Sequence, residues 1–204
     1  MAMKIRYFSG LQSYLPLWAE MKNFTEQRTP ETPDELWLLE HHPVFTQGRA
    51  GKPEHVIAPG EIPVIATDRG GQITYHGPGQ LVGYCLFDIR RKGWGPRRLV
   101  CSIEQVLLDY LQTQGVEGHR IAGAPGIYVG DAKIASLGLR IYRGCSYHGF
   151  SFNVHMDLEP FSRINPCGYA QLKLTQLGDW VEGPQPSPMG IAKDLATLFR
   201  SMSF

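Results

Sequence analysis

Three residues of this 204-residue chain combine reactive side chains with settings that a pocket can use: Cys167, Lys133 and His76. Cys167 stands in I-N-P-C-G, between Asn165-Pro166 and Gly168, where no helical or strand period runs. A thiol held in such a loop becomes a nucleophile when a nearby cation lowers its pKa. The other cysteines read differently. Cys85 falls in an apolar strand and Cys101 on a helix, as small buried hydrophobes, and Cys145 sits in an expected turn. Lys133 opens the run K-I-A-S-L-G-L-R, so its side chain either snorkels to solvent or enters a pocket. In a pocket, its ammonium would stabilise a thiolate and then give and take protons.

His76 belongs to R-G-G-Q-I-T-Y-H-G-P-G-Q, residues 69–80, which lies between apolar runs 63–66 and 81–89. Glycine lets backbone approach a ligand closely or take a positive φ without a steric penalty. Arg69, Tyr75 and His76 can hold an anion, cover an apolar ligand and move a proton. His76 also reads as a satisfied hairpin histidine, or as a hydrogen-bond donor to a carbonyl. His148 and His155 are oddly spaced on one expected strand, so they face opposite sides. With no H-E-x-x-H present, a metal site is not expected. The P-loop and dinucleotide-binding fingerprints are also missing.

The elements that must position these residues are readable in outline. An amphipathic helix is predicted near residues 11–27, with Pro16 tolerated in its first turn. Strands follow at 35–40, 43–48, 63–67 and 81–89, with a mobile polar loop at 50–61. Residues 90–98 (R-R-K-G-W-G-P-R-R) carry five positive charges and no acid, either as a solvated loop or as a dock for an acidic partner. A helix over 97–114 ends at Gly115, and glycine-punctuated strands at 119–122, 126–129, 133–142 and 147–155 suggest antiparallel hairpins. A last helix starts with Ser187 as N-cap and Pro188 at N1; its apolar face holds Ile191, Leu195, Leu198 and Met202.

Together these make one α/β (α+β) domain over residues 1–204, a mixed, largely antiparallel sheet flanked by helices. A net charge of +1 argues against a nucleic-acid or membrane partner. No signal-like or transmembrane-length apolar segment is present, and the four cysteines are scattered; both point to the cytoplasm.

Four motifs in order and at matching spacing carry a resemblance: residues 69–80, G-D-A-K-I-A-S-L-G (130–138), H-G-F-S-F-N-V (148–154) and I-N-P-C-G (164–168). They resemble the octanoyl-[acyl carrier protein]:protein N-octanoyltransferase family of lipoate biosynthesis, over roughly residues 35–180. The resemblance implies a biotin/lipoyl protein ligase-like fold. It also implies octanoyl transfer from acyl carrier protein to a lysine on lipoyl domains of 2-oxoacid dehydrogenase E2 subunits, or on the glycine cleavage H protein. The family's thioester nucleophile maps onto Cys167 and its partner lysine onto Lys133. Substrate-binding positions map onto Arg69, Gly70, Gly71, Gln72, Ile73, Thr74, Tyr75, His76, Ser136, Leu137, Gly138, Gly149, Phe150 and Ser151. No ATP and no metal is implied, because the donor arrives on a phosphopantetheine arm. The rival readings are an ATP-dependent lipoate or biotin ligase, a non-catalytic lipoyl-domain binder and a thioesterase.

Overall fold

A computed structural model describes residues 2–165 and 172–202. Its frame is a seven-stranded sheet in the order β1 (Lys4–Gln12), β2 (Glu35–His41), β6 (Gln80–Leu86), β10 (Cys145–Asn153), β9 (Ala132–Tyr142), β8 (Ala124–Val129) and β7 (His119–Ile121). All neighbours are antiparallel except β1 and β2. A three-stranded sheet, β4 (Val64–Ala66), β3 (Val44–Gln47) and β5 (Ile73–His76), stands beside it.

Period-two alternation gives the large sheet two apolar faces. On one, Leu36, Leu38, Leu81, Cys85, Phe150 and Phe152 pack against α2 (Pro96–Thr113) and α3 (Pro188–Ser201). On the other, Trp37, Leu39, Val82, Tyr84 and Tyr147 pack against Leu17 and Met21 of α1 (Tyr14–Glu26). A third cluster, Phe45, Ile73, Tyr75, Met156, Phe161 and Ile164, fills the small sheet.

The helix ends behave as their residues dictate. Gly115 takes φ +73° after α2, and the Val116 N–H reaches the Leu111 carbonyl at 3.0 Å, the Schellman closure. Ser187 caps α3 by accepting from the Gly190 N–H at 3.2 Å. The β9–β10 turn is the two-residue pair Arg143-Gly144, both at positive φ, as a twisted hairpin requires.

Several expectations change. β1 has no counterpart among the predicted strands, and it takes Leu11 and Gln12, so α1 begins only at Tyr14. It is an edge strand with mostly exposed residues and a pairing irregularity between Tyr7 and Leu11, which hides its period. Cys145 opens β10 and is buried, not in the turn. The loop expected to be mobile is tied down: Ile57 and Ala58 donate to the Arg163 carbonyl, and Asn165 donates to the His55 carbonyl at 2.8 Å. The basic run is partly neutralised by acids distant in sequence. Arg91 and Lys92 reach Asp34 at 2.8 and 3.1 Å, and Asp34 also holds buried Arg28 at 2.7 Å. Arg97 and Arg98 remain exposed in the first turn of α2.

Candidate active site

Strand register builds the floor of a cavity. Tyr84, Gly149 and Gly138 form one row across β6, β10 and β9, and Val82, Ser151 and Ser136 form the next. Val82 and Tyr84 belong to the α1 face, so by alternation the whole patch does. Two glycines side by side leave a hollow of about 60 Å3. Gly149 admits nothing larger, since a Cβ there would lie 2.0 Å from the Gly83 carbonyl oxygen.

The glycine stretch roofs this hollow and Tyr14 of α1 closes it. Arg69, Gly71, Gln72, Ile73, Thr74, His76, Ser136, Leu137, Gly138, Gly149, Phe150 and Ser151 all line it. Two expected members lie elsewhere. Tyr75 points into the third core cluster, 5.5 Å from the rings of Phe45 and Phe161. Gly70 donates its N–H to the Leu139 carbonyl at 2.9 Å and lines a neighbouring cavity.

Arg69 braces the roof from inside. Its guanidinium donates to the carbonyls of Thr46, Gly70 and Gln72 and to the Thr46 hydroxyl. Thr46 therefore gives its own proton to His76 Nε2 at 3.2 Å, and His76 Nδ1–H donates to Gln80 Oε1 at 2.7 Å. Gln80 Nε2 donates to Asn153 Oδ1 at 3.0 Å, and Asn153 Nδ2 to the Thr175 carbonyl at 3.0 Å. With both ring nitrogens engaged and burial lowering its pKa to about 3, His76 is a neutral core histidine and not a proton shuttle. His41 is similar: burial lowers it to about 4, Nδ1–H donates to the Gln12 carbonyl, and the Tyr84 hydroxyl donates to Nε2 at 2.6 Å.

A second polar centre had no signal in the sequence. Asp68 accepts from Trp18 Nε1 at 2.9 Å, His148 Nε2 at 2.9 Å and the Tyr147 hydroxyl. Burial opposes its charge, but the bonds from His148, Tyr147 and Trp18 outweigh it and hold the carboxyl well below its usual range. Neighbours on a strand normally face apart. His148 takes φ +57°, which turns it to the same acceptor as Tyr147, with the two rings stacked 5.0 Å apart. A positive φ on a non-glycine residue is a local rule broken at the wall of the cavity.

Lys133 does not snorkel. It is 2% exposed, its Nζ donates to the Pro125 carbonyl at 3.0 Å and lies 5.1 Å from the Tyr128 ring centroid. Gly126, at φ +130°, makes room; a Cβ there would meet Lys133 Cε at 3.1 Å. The backbone of Lys133 is clamped by the Lys173 carbonyl at 2.8 Å and the Thr175 N–H at 3.0 Å. Lys133 lines a second cavity of about 500 Å3, which shares Gly71, Gln72, Leu137 and Gly138 with the first. Cys167 lies outside the described residues.

The edge of β9 separates the two cavities. β8 pairs β9 only as far as Ala135, and beyond it the Leu139 carbonyl accepts from Gly70. Backbone direction alternates along a strand, so Leu137 also faces this edge while Ser136 and Gly138 face β10. Gly149, Phe150 and Ser151 sit on a central strand paired on both sides. Of the backbone N–H groups in 136–138 and 149–151, this alternation turns only that of Leu137 to the opening.

Residues 13–199 match the lipoyl protein ligase A/B catalytic domain. The chain is 62% identical over 175 residues to an octanoyltransferase of Azotobacter vinelandii, covering 86% of this chain and 80% of that one. It is 55% identical over 192 residues to an octanoyltransferase of Enterobacter sp. (strain 638), covering 93% and 90%. The chain belongs to the octanoyltransferase family. It is therefore an acyltransferase. The chain shares its fold with lipoate-protein ligase A bound with ATP (TM-score 0.82, 14% identity, 99% and 85% coverage). It also resembles the biotin protein ligase of Aquifex aeolicus (TM-score 0.55, 9% identity, 97% and 67%). Among the described residues, no cluster of three or more metal-ligating side chains occurs, and no helix is long and apolar enough to cross a membrane.

Proposed function

We propose that the protein transfers an octanoyl group from octanoyl-acyl carrier protein to a specific lysine of lipoyl domains, on 2-oxoacid dehydrogenase E2 subunits or the glycine cleavage H protein, through a thioester on Cys167. The observation that supports this most is the buried Lys133 ammonium in a large cavity that adjoins the glycine-floored one. The smaller cavity takes the acyl chain. The larger admits in turn the phosphopantetheine arm and the acceptor lysine.

The Cys167 thiolate attacks the thioester carbonyl, forming a new S–C bond, and the Leu137 N–H steadies the oxyanion. The carrier's S–C bond breaks and the Lys133 ammonium protonates the leaving thiolate. The neutral Lys133 then takes the proton from the acceptor amine as it attacks the acyl-enzyme. Amide forms, Cys167 leaves as thiolate, and both groups return to their starting charges. The thioester is already activated, so the reaction consumes no ATP and needs no metal, and both protein substrates place it in the cytoplasm. Pro96 and Val100 of α2 line the Lys133 cavity, which puts exposed Arg97 and Arg98 beside its rim, where an acidic carrier protein can dock.

Incubation with octanoyl-carrier protein and mass mapping tests this directly. Acyl label on Cys167, lost in Cys167→Ala, and an acylated lipoyl domain are expected. Full transfer by Cys167→Ala or by Lys133→Ala sinks the mechanism. Dependence on ATP with free octanoate would make the protein a ligase.

A further inference from the structure

We propose that Tyr14 and His148 give the acyl cavity a polar closed end, and that this end sets the length of chain transferred. The proposal rests on the octanoyl-transfer reading and names the residues behind its chain preference.

The closed end is identified by what the two cavities share. Gly71, Gln72, Leu137 and Gly138 belong to both and mark the side open to Lys133. Tyr14, Tyr84 and His148 line only the smaller one. Their rings belong to one packed group: Tyr14 to Trp18 at 6.3 Å, Trp18 to His148 at 6.5 Å, Tyr84 to His148 at 6.2 Å. A chain entering from the Lys133 side thus runs towards an aromatic wall.

That wall is not apolar. His148 is 2% exposed and Tyr14 5%; among the described residues His148 Nδ1 has no hydrogen-bond partner, and the Tyr14 hydroxyl has only the Thr67 side chain nearby, outside hydrogen-bond geometry. Because His148 Nε2–H donates to the Asp68 carboxylate, the Nδ1 of neutral His148 is a bare acceptor. Both atoms are satisfied only while a water molecule can reach them. A chain that stops short leaves that water in place. A longer one covers two polar atoms and offers nothing in return, and an unsatisfied buried polar group is costly.

Transfer by the full chain from octanoyl- and decanoyl-carrier protein tests this with Tyr14→Phe and His148→Gly, glycine removing the Nδ1 acceptor while keeping the positive φ. The decanoyl-to-octanoyl ratio of kcat/KM should rise roughly tenfold in each variant, the size expected for one unsatisfied polar group relieved. An unchanged ratio, or equal losses on both donors, overturns the proposal, since a merely structural role lowers both rates alike. If the unmodified chain transfers no octanoyl group at all, the transfer reading fails instead. Calorimetric binding of octanoic and decanoic acids to the chain and to Tyr14→Phe then decides the chain-length claim alone: a shifted affinity ratio sustains it and an identical one rejects it.

Discussion

The Asn153 side-chain amide donates to the Thr175 carbonyl at 3.0 Å, and the Thr175 N–H donates in turn to the Lys133 carbonyl at 3.0 Å. One residue of β10 thus anchors the segment that runs alongside Lys133. The same amide accepts from Gln80, which holds His76, so the roof of the glycine-floored cavity and the lysine strand share one buried chain of hydrogen bonds.

Asn153→Asp keeps the acceptor for Gln80 but removes the donor and sets a carboxylate against a carbonyl. Stability should fall by about 2 kcal/mol and octanoyl transfer by more than the unfolded fraction explains. Transfer per folded molecule, measured beside denaturant unfolding, checks this; an unchanged value would show that Asn153 does not position Lys133.

Arg69→Lys should lose most of the roof, because a single ammonium cannot reproduce a planar fork that reaches three carbonyls and a hydroxyl. A loss of about 2 kcal/mol is expected, with transfer reduced well beyond it. Urea midpoints and transfer rates measure the two effects separately, and a lysine variant of full activity would refute the bracing role.

Gly149→Ala and Gly138→Ala should differ in kind. The first drives a methyl group to 2.0 Å from the Gly83 carbonyl in a central strand, which cannot yield, at a cost of about 3 kcal/mol. The second meets Gly70 O at 3.0 Å and Arg69 Cδ at 3.1 Å, at a roof that can shift. It should fold and lose acyl binding. Circular dichroism and octanoate binding separate the pair; equal stability of the two variants counts against the packing argument.

Stability should fall as acid is added below neutrality. His41 and His76 have folded pKa values of about 4 and 3, below the ordinary 6.5, so between these limits the unfolded chain binds protons that the folded chain refuses. The stability they contribute is complete above pH 6.5 and is lost as the pH falls towards 4. At 1.36 kcal/mol per unit, His41 alone accounts for about 3 kcal/mol. Urea midpoints at pH 7.5 and 5 report the slope, and His41→Gln should flatten it. Equal midpoints would mean that these rings are not buried neutral.

Much of the frame was legible because local signals carried it. The four hairpin strands, the Gly115 stop and the Ser187–Pro188 start each depend on residues within a turn of one another. β1 was not legible, because this edge strand with broken pairing is mostly exposed and buries only Ile5 and Phe8 in part, on opposite faces, too little for a period to show. The basic run read as unpaired because its counter-ions, Asp34 and Asp88, lie outside it.

By itself, the sequence determined the family, through the glycine stretch and the motifs that hold Lys133 and Cys167, and it marked those two residues as the candidates for chemistry. Side-chain chemistry and motif spacing are written in one dimension. Only the tertiary structure decided where the described residues sit and what they touch. It turned His76 into a neutral brace, sent Tyr75 to the core and gathered Trp18, Tyr147 and His148 on Asp68. It also set Lys133 in a cavity beside the glycine-floored hollow. Those roles follow from burial and from partners as many as 80 residues apart, and neither is encoded in local spacing.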